Sequence, residues 1–440
     1  MARVVVVGAG VGGLSAAITA AQAGVETILI ERNDFLSGLC VWSGHHGGGY
    51  AIEETQLMGG GSLRFHDALK KYATYWQHEL SDWKEGVWEG DEAFAYDVLK
   101  SDEAAWEALS GARVKVMLRS QMVDVAMKGN RLEAVVLSNG TRVAGDAFVD
   151  ATGRAGFRAW CEGWGQGCGM CILKCPIYGD CTSVSTKAGV ADVRPQGGHR
   201  QAGGPRFFQA TMVLQDSVAP WLLEACMEAK ARYFYHVPQE FLNMDLSREW
   251  LHPDRPLPAE AGFYEGPEFL INYCPWMKVH ANVPAHILRR MPGFEDAFFV
   301  TPLTGDANTV FIKRSAPTDD TLRVDGLANL FAAGERARTV SSMGTCMPLG
   351  DLAGHNAARV ALGREPVALP TSTILGYFIN VIRIGNPPAG GPRFTGPKGE
   401  SPPVWREKGF ISDDSGKDIK RIRQEVEKAN LVGIYQQRLA

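Results

Sequence analysis

The chain has 440 residues, 45% hydrophobic and 21% charged, with 45 Lys and Arg set against 49 Asp and Glu for a formal net charge of -4. That balance suits two or three globular domains with sizeable cores that need no disulfide staples, and it supplies no bulk electrostatic reason to expect nucleic acid or an anionic membrane. No stretch reaches the roughly 18 apolar residues of a membrane span, and the N-terminal valine run is too short for a signal peptide, so a cytoplasmic protein without membrane contact is expected.

Residues 3–31 organise the rest. Val4 to Val7 read as a strand buried on both faces. Gly8-x-Gly10-x-x-Gly13 follows at once and opens a small-residue helix from Leu14 to about Ala23; a second apolar run, Val25 to Ile30, ends on Glu31. Gly8 permits the tight turn, Gly10 lets backbone N–H groups approach a pyrophosphate, and Gly13 lets helix pack on strand. Glu31 stands where a parallel strand brings a carboxylate to a ribose hydroxyl. Strand, glycine turn, helix and acid together predict a dinucleotide site.

A glycine-rich connection carrying Cys40, His45 and His46 comes next, directed toward the reactive end of such a ligand. Segment 55–110 has amphipathic helical spacing (Leu63, His66, Leu69, Tyr72, Trp76) and predicts two or more helices. Residues 112–150 alternate as strands, with turns at Lys128-Gly129-Asn130 and Asn139-Gly140, and close on Asp150-Ala151-Thr152-Gly153. From 190 to 310 the patterning is again β-rich, interrupted by a helical EFLNMDL and Pro-rich linkers. Leu330 to Glu335 is a short strand ending in Gly334-Glu335, followed by a Gly/Ala helix placed from about Leu349. The tail is Gly/Pro-rich to Pro403 and offers one amphipathic helix through Ile419, Ile422, Val426 and Ala429, able to cap its own domain or a partner subunit.

The strand ending in Asp150-Ala151-Thr152-Gly153 and the Gly334-Glu335 segment, in that order after Gly8–Glu31, resemble the three nucleotide-contacting segments of the glutathione-reductase-like FAD superfamily. The resemblance implies an α/β fold: a discontinuous Rossmann-like FAD-binding domain with an inserted α+β substrate domain and a short C-terminal tail. The divisions are 1–189 (with helical segment 55–110 and cysteine-rich segment 156–185), 190–310 for the substrate domain, 311–380 for the second FAD part, and 381–440 for the tail. FAD is the implied cofactor, held by Gly8, Gly10, Gly13, Glu31, Arg32, Val123, Ala151, Thr152, Gly153, Gly334, Glu335 and Gly350. A helix starting near Gly350 would aim its partial positive charge at the flavin pyrimidine ring. Cys346, Cys40 and His45 are the candidate catalytic groups near the reactive end, with a buried structural role the alternative for the thiols and an exposed loop for the histidine. Arg336 and Arg338 read as holding an anionic substrate or a cofactor phosphate, or as a solvated pair.

Between the second and third segments lies Cys161-x6-Cys168-x2-Cys171-x3-Cys175-Pro176, with Cys181 beyond. Its latter half matches the spacing of the bacterial ferredoxin run, and closely spaced thiolates can converge on one [4Fe-4S] cluster; zinc or unligated thiols are the alternatives. Cys168, Cys171 and Cys175 are the firm ligands, with Cys161 favoured as the fourth and Cys181 in reserve. A flavin beside a one-electron cluster implies an oxidoreductase acting on a small molecule and fed by an external carrier such as a ferredoxin. A possible homo-oligomer and an electron-transfer subunit of a larger complex are compatible with the same pattern.

A second resemblance points elsewhere. Gly354-His-Asn-Ala-Ala-Arg359-Val-Ala-Leu-Gly363, with Pro370-Thr-Ser-Thr-Ile-Leu-Gly376 after it, is similar to the C-terminal end of the folate- and FAD-dependent tRNA uridine methyltransferases. It implies RNA modification as the alternative function, against which the acidic net charge weighs.

Overall fold

In the computed structural model the residues described are 1–38, 45–46, 50–72, 94–96, 100–153, 183–193, 210–214, 217–222, 224, 233–236, 258–263, 268–272, 289–290, 292–297, 315–337, 343–383, 409–410, 412 and 415–440. Strand β1 (Arg3–Val7) leads into helix α1 (Val11–Gln22) and returns as β2 (Glu26–Ile30). The helix therefore begins three residues before the expected Leu14, directly on the glycine turn. After the short β3 (His45–His46) come α2 (Tyr50–Met58), α3 (Ser62–Lys70), β4 (Phe94–Ala95) and α4 (Ser101–Leu109). Then follow β5 (Val114–Met117), β6 (Met122–Lys128), β7 (Arg131–Leu137), β8 (Arg142–Ala144) and β9 (Ala147–Asp150), with the two turns where the sequence placed them.

A five-stranded sheet ordered β14-β9-β1-β2-β5, where β14 is Leu330–Ala332, forms the centre. Each of its pairings is parallel, so both faces must be covered, and Val4, Val5 and Val6 are fully buried. Strands β6, β7 and β8 make a separate antiparallel sheet, with irregular register around Val123. This is the Rossmann-like α/β arrangement expected from the sequence, assembled from segments far apart in the chain.

Beyond the short helix α5 (Val184–Lys187), strands β10 (Ala210–Leu214), β11 (Tyr233–His236), β12 (Pro258–Phe263) and β13 (Glu268–Asn272) pair as a four-stranded antiparallel sheet ordered β10-β13-β12-β11. The predicted helix in EFLNMDL and the cysteine run from Cys161 to Cys181 lie outside the described residues.

Helix α6 (Met343–Ala361) packs on α1 with Gly350 and Gly354 in the contact. A Cβ on Gly350 would overlap the Gly12 carbonyl and stand 2.7 Å from Ser15 Cβ; one on Gly354 would overlap the Ala16 carbonyl and stand 2.7 Å from its Cα. Small residues four apart on each helix thus bring the two backbones together. Helices α7 (Ile374–Arg383) and α8 (Ser415–Lys428) both lie against α2. The last ten residues return over α1: the Leu439 and Ala440 amides donate to the Ala23 carbonyl at 2.8 and 3.1 Å, and Tyr435 is fully buried. The tail caps the unit to which it belongs. Among the described residues no helix is long and apolar enough to cross a membrane.

Candidate functional site

Parallel register sets the geometry of the site. Val7 is level with Ile30 and with Asp150, and Asp150 with Ala332. Four strand ends, drawn from three stretches of chain more than a hundred residues apart, therefore leave the sheet side by side: Gly8 and Glu31 from the first, Ala151 from the second and Ala333 from the third all emerge at its carboxyl edge. Backbone bonds keep them aligned, from Gly8 N–H to the Ile30 carbonyl (2.8 Å), Ala151 N–H to Val7 (2.9 Å) and Ala333 N–H to Asp150 (3.0 Å). Open α/β sheets take their ligands at this edge.

The glycines shape the hollow. Gly8 has φ of +102°, which an L side chain rarely adopts. A Cβ on Gly13 would overlap the Gly8 carbonyl and stand 3.1 Å from Ala151 Cβ, and one on Gly12 would stand 2.9 Å from Gly334 Cα, whereas one on Gly10 would meet nothing within 4 Å. Gly12 and Gly13 are thus packing positions, and Gly10 borders open space in front of the α1 N-terminus, where the first-turn amides and the helix dipole favour phosphate charge.

Glu31 is buried, and its two oxygens accept from Ala9 N–H (2.8 Å) and Asn33 N–H (2.9 Å), so it faces the glycine loop. Arg32 beside it is exposed, and Val123 is half-buried in β6. Ala151, Thr152 and Gly153 form a half-buried turn in which the Thr152 amide and hydroxyl donate to Asp150 Oδ1 at 3.2 and 2.6 Å. Gly334 and Glu335 are both buried in a 3-10 turn (Gly334–Ala337).

Cys346 is also buried, with its Sγ 3.9 Å from where a Gly334 Cβ would stand. The thiol therefore lies under the cradle, beside the candidate cofactor contacts. His45 pairs with Ala95 across β3 and β4, while Cys40 lies outside the described residues.

Two sequence expectations change. The helix after Gly334-Glu335 starts at Met343, so Gly350 sits inside it against α1, and its absent side chain serves helix packing. The residues at its N-terminus are Met343 to Cys346. Arg336 is neither solvated nor open to a ligand: it is fully buried, its Nε 3.4 Å from Asp150 Oδ2 and its Nη2 2.7 Å from Asp192 Oδ1, and Nη2 also donates to Ser185 Oγ at 2.5 Å. Burial alone would raise the Asp150 pKa; Arg336, Thr152 and Ser185 outweigh it and hold the carboxyl below its usual range.

Two buried carboxylates behind the cradle were not legible in the sequence. Asp351 on α6 accepts from Thr19 Oγ1 (2.7 Å), Thr55 Oγ1 (2.8 Å), Ser62 Oγ (2.5 Å) and Ser62 N–H (3.0 Å), joining four helical segments; burial nonetheless pushes its pKa to about 6. Glu54 on α2 accepts from Ile374 N–H (2.5 Å) and Leu375 N–H (2.8 Å) at the start of α7, and burial pushes it to about 7 against those two bonds and Arg421. For Asp351 the signal was an acid in an otherwise apolar, small-residue stretch; Glu54, next to Glu53 in a mixed polar stretch, carried none.

Residues 3–163 match the family model of FAD dependent oxidoreductases. Over 105 residues the chain is 38% identical to the methylenetetrahydrofolate–tRNA-(uracil-5-)-methyltransferase TrmFO of Crocosphaera subtropica (strain ATCC 51142 / BH68), a match spanning 23% of this chain and 22% of that protein. The TrmFO of Caldicellulosiruptor bescii is 29% identical over 146 residues, 33% of this chain and 30% of its own length. The matched stretches thus cover less than a third of these relatives. Among solved structures, Aquifex aeolicus GidA superposes with a TM-score of 0.65 at 17% identity, covering 97% of this chain and 76% of that one. The chain shares the fold of GidA.

These relatives overturn the expected function. An iron–sulfur oxidoreductase of small molecules is not what the aligned proteins are named for; they are named tRNA methyltransferases, and the alternative implied by the C-terminal resemblance fits better. None of these relatives supports the expected [4Fe-4S] cluster. Cys161, Cys168, Cys171, Cys175 and Cys181 lie outside the described residues, and among the described residues no group of three or more His, Cys, Asp or Glu side chains could hold a metal ion.

Proposed function

We propose that the chain is an FAD-binding enzyme of RNA modification that transfers a folate-borne one-carbon unit to a uridine of tRNA. The observation carrying this reading is the alignment with TrmFO proteins of several organisms, whose name couples methylenetetrahydrofolate to methylation of uracil in tRNA. A methylene carbon must gain two electrons and a proton to become a methyl group, and FAD, when bound and reduced by an external two-electron donor, would supply the electrons.

The residues of the cradle suit that cofactor. Gly10 and the α1 N-terminus would take its pyrophosphate, and Glu31, already turned toward the loop by the Ala9 amide, would accept from a ribose hydroxyl. Ala151–Gly153 and Gly334–Glu335 would border its middle. Burial of Cys346 beside Gly334 keeps water from the thiol and from that side of the cradle.

The test is direct. The purified chain is loaded with FAD anaerobically and given a uridine-containing tRNA transcript, a reductant and methylenetetrahydrofolate labelled in its methylene carbon. Label retained on the transcript supports the reading; FAD uptake without label on RNA overturns the RNA-modifying function while leaving the cofactor assignment in place.

A further inference from the structure

Both chain crossings between the parallel-sheet unit and the intervening segment 194–314 pass beside one buried side chain. Val193 on the outgoing strand and Ser315 on the incoming one pair antiparallel, with Val193 N–H donating to the Ser315 carbonyl at 2.9 Å and Ser315 N–H to Val193 at 3.0 Å. Arg336 reaches both crossings. Its Nη2 and Nη1 approach the two Asp192 oxygens at 2.7 and 3.4 Å, and its backbone carbonyl accepts from Ala316 N–H at 3.1 Å. On the other side its Nε faces Asp150 at 3.4 Å.

Asp150 is itself part of the cradle's frame. Its Oδ1 holds the Thr152 amide and hydroxyl, and its Oδ2 holds the Ser185 amide (3.0 Å) and hydroxyl (2.8 Å). The turn so fixed, Ala151–Gly153, is the one Gly8 closes upon: a Cβ at Gly8 would stand 2.7 Å from Ala151 C. One guanidinium therefore spans from the crossing strands to the cofactor cradle, and its planar fork fixes direction on both sides at once.

We propose that Arg336 is a positioning residue that ties the chain crossings at Asp192–Val193 and Ser315–Ala316 to the state of the FAD cradle. The proposal rests on the cofactor assignment above. Ordering of Ala151–Gly153 by FAD holds Asp150, Asp150 holds Arg336, and Arg336 holds Asp192 and Ala316, so that the crossings open less often when the cradle is filled. Asp192, with 11% of its side chain exposed, is the arm that can be cut without touching the cradle.

Hydrogen exchange on the full-length chain, with and without FAD, tests this. With FAD at about 100 times its Kd, full coupling slows the amides of Val193, Ser315 and Ala316 by up to about 100-fold beyond any change at the β7 amides, which serve as the remote reference. In Asp192→Asn the FAD Kd stays within about threefold of wild type, since a residue outside the cradle contributes little to it, while the FAD-dependent slowing disappears. Arg336→Lys keeps the charge but loses the fork and should lose the slowing likewise. Slowing in both variants equal to wild type, or none in FAD-loaded wild type, overturns the coupling. Failure of wild type to take up FAD, read separately from the flavin absorbance, overturns the cofactor assignment and the proposal together.

Discussion

Replacing Gly354 by Ala puts two opposed effects in competition. In a helix interior alanine is favoured over glycine by about 1 kcal/mol, so a loosely packed α6 would be stabilised by the change. The structure requires the opposite sign. The new Cβ would overlap the Ala16 carbonyl and stand 2.7 Å from both the Ala16 Cα and carbonyl carbon, all backbone atoms that no rotamer change can move aside. Relief demands that α1 and α6 separate by about 1 Å, at a contact where Ala16, Ala17, Ala353 and Ala357 are fully buried. Overpacking of this kind costs about 1–3 kcal/mol, and after the helix gain the net expectation is up to about 2 kcal/mol of destabilisation. Urea unfolding of the FAD-free variant, followed by far-UV circular dichroism, should show a lower midpoint with an unchanged slope. A midpoint at or above wild type would refute the close-packing argument and return Gly354, and Gly350 with it, to roles set by something other than the helix contact.

Other outcomes follow from the buried groups. Glu54 and Asp351 bind their protons more tightly in the folded chain, to about 7 from 4.5 and to about 6 from 3.8, so their contribution to stability is full below about pH 4 and is lost as pH rises to about 7. Each is worth at most about 3 kcal/mol across its window, and Asp351→Asn should flatten the fall in urea midpoint between pH 4 and 6. Asp150 behaves oppositely: its lowered pKa gives stability that is present above its unfolded value of 3.8 and lost on acidification, and Asp150→Ala should cost about 1–3 kcal/mol at pH 7 by leaving the Thr152 and Ser185 donors without their acceptor while Arg336 keeps Asp192, visible as a lower unfolding midpoint. Glu31→Gln replaces a charged acceptor by a neutral one and should weaken FAD binding by about 10- to 100-fold in a flavin titration; an unchanged Kd would remove Glu31 from the site.

Much of the cradle was legible because its rules are local. Gly8, Gly10 and Gly13 between a valine run and a small-residue helix, and Glu31 at the end of the next strand, announce strand, turn and acid by residue type and spacing alone. Two strand endings much later in the chain, at Asp150 and Ala332, were readable the same way, and so were the hairpin turns at Gly129 and Gly140. Function was less legible, since the cysteine run drew the reading toward electron transfer while the relatives' names direct it to tRNA methylation.

What only the tertiary structure decided is which face each residue meets. Gly350 could be a flavin contact or a packing glycine on sequence grounds, and the choice depends on α1 lying across it. Arg336 looked like an anion-binding arginine because a sequence does not show that Asp150 and Asp192 meet it from two sides. Asp351 and Glu54 gave no sign that donors from three other segments and the start of α7 would surround them. By itself the sequence determined the dinucleotide-type turn, the strand endings and the amphipathic elements, because backbone conformation and periodicity are properties of neighbours along the chain. The partners of buried charges and close-packed glycines are neighbours in space, set by the parallel register that brings residues 8, 31, 151 and 333 to one edge.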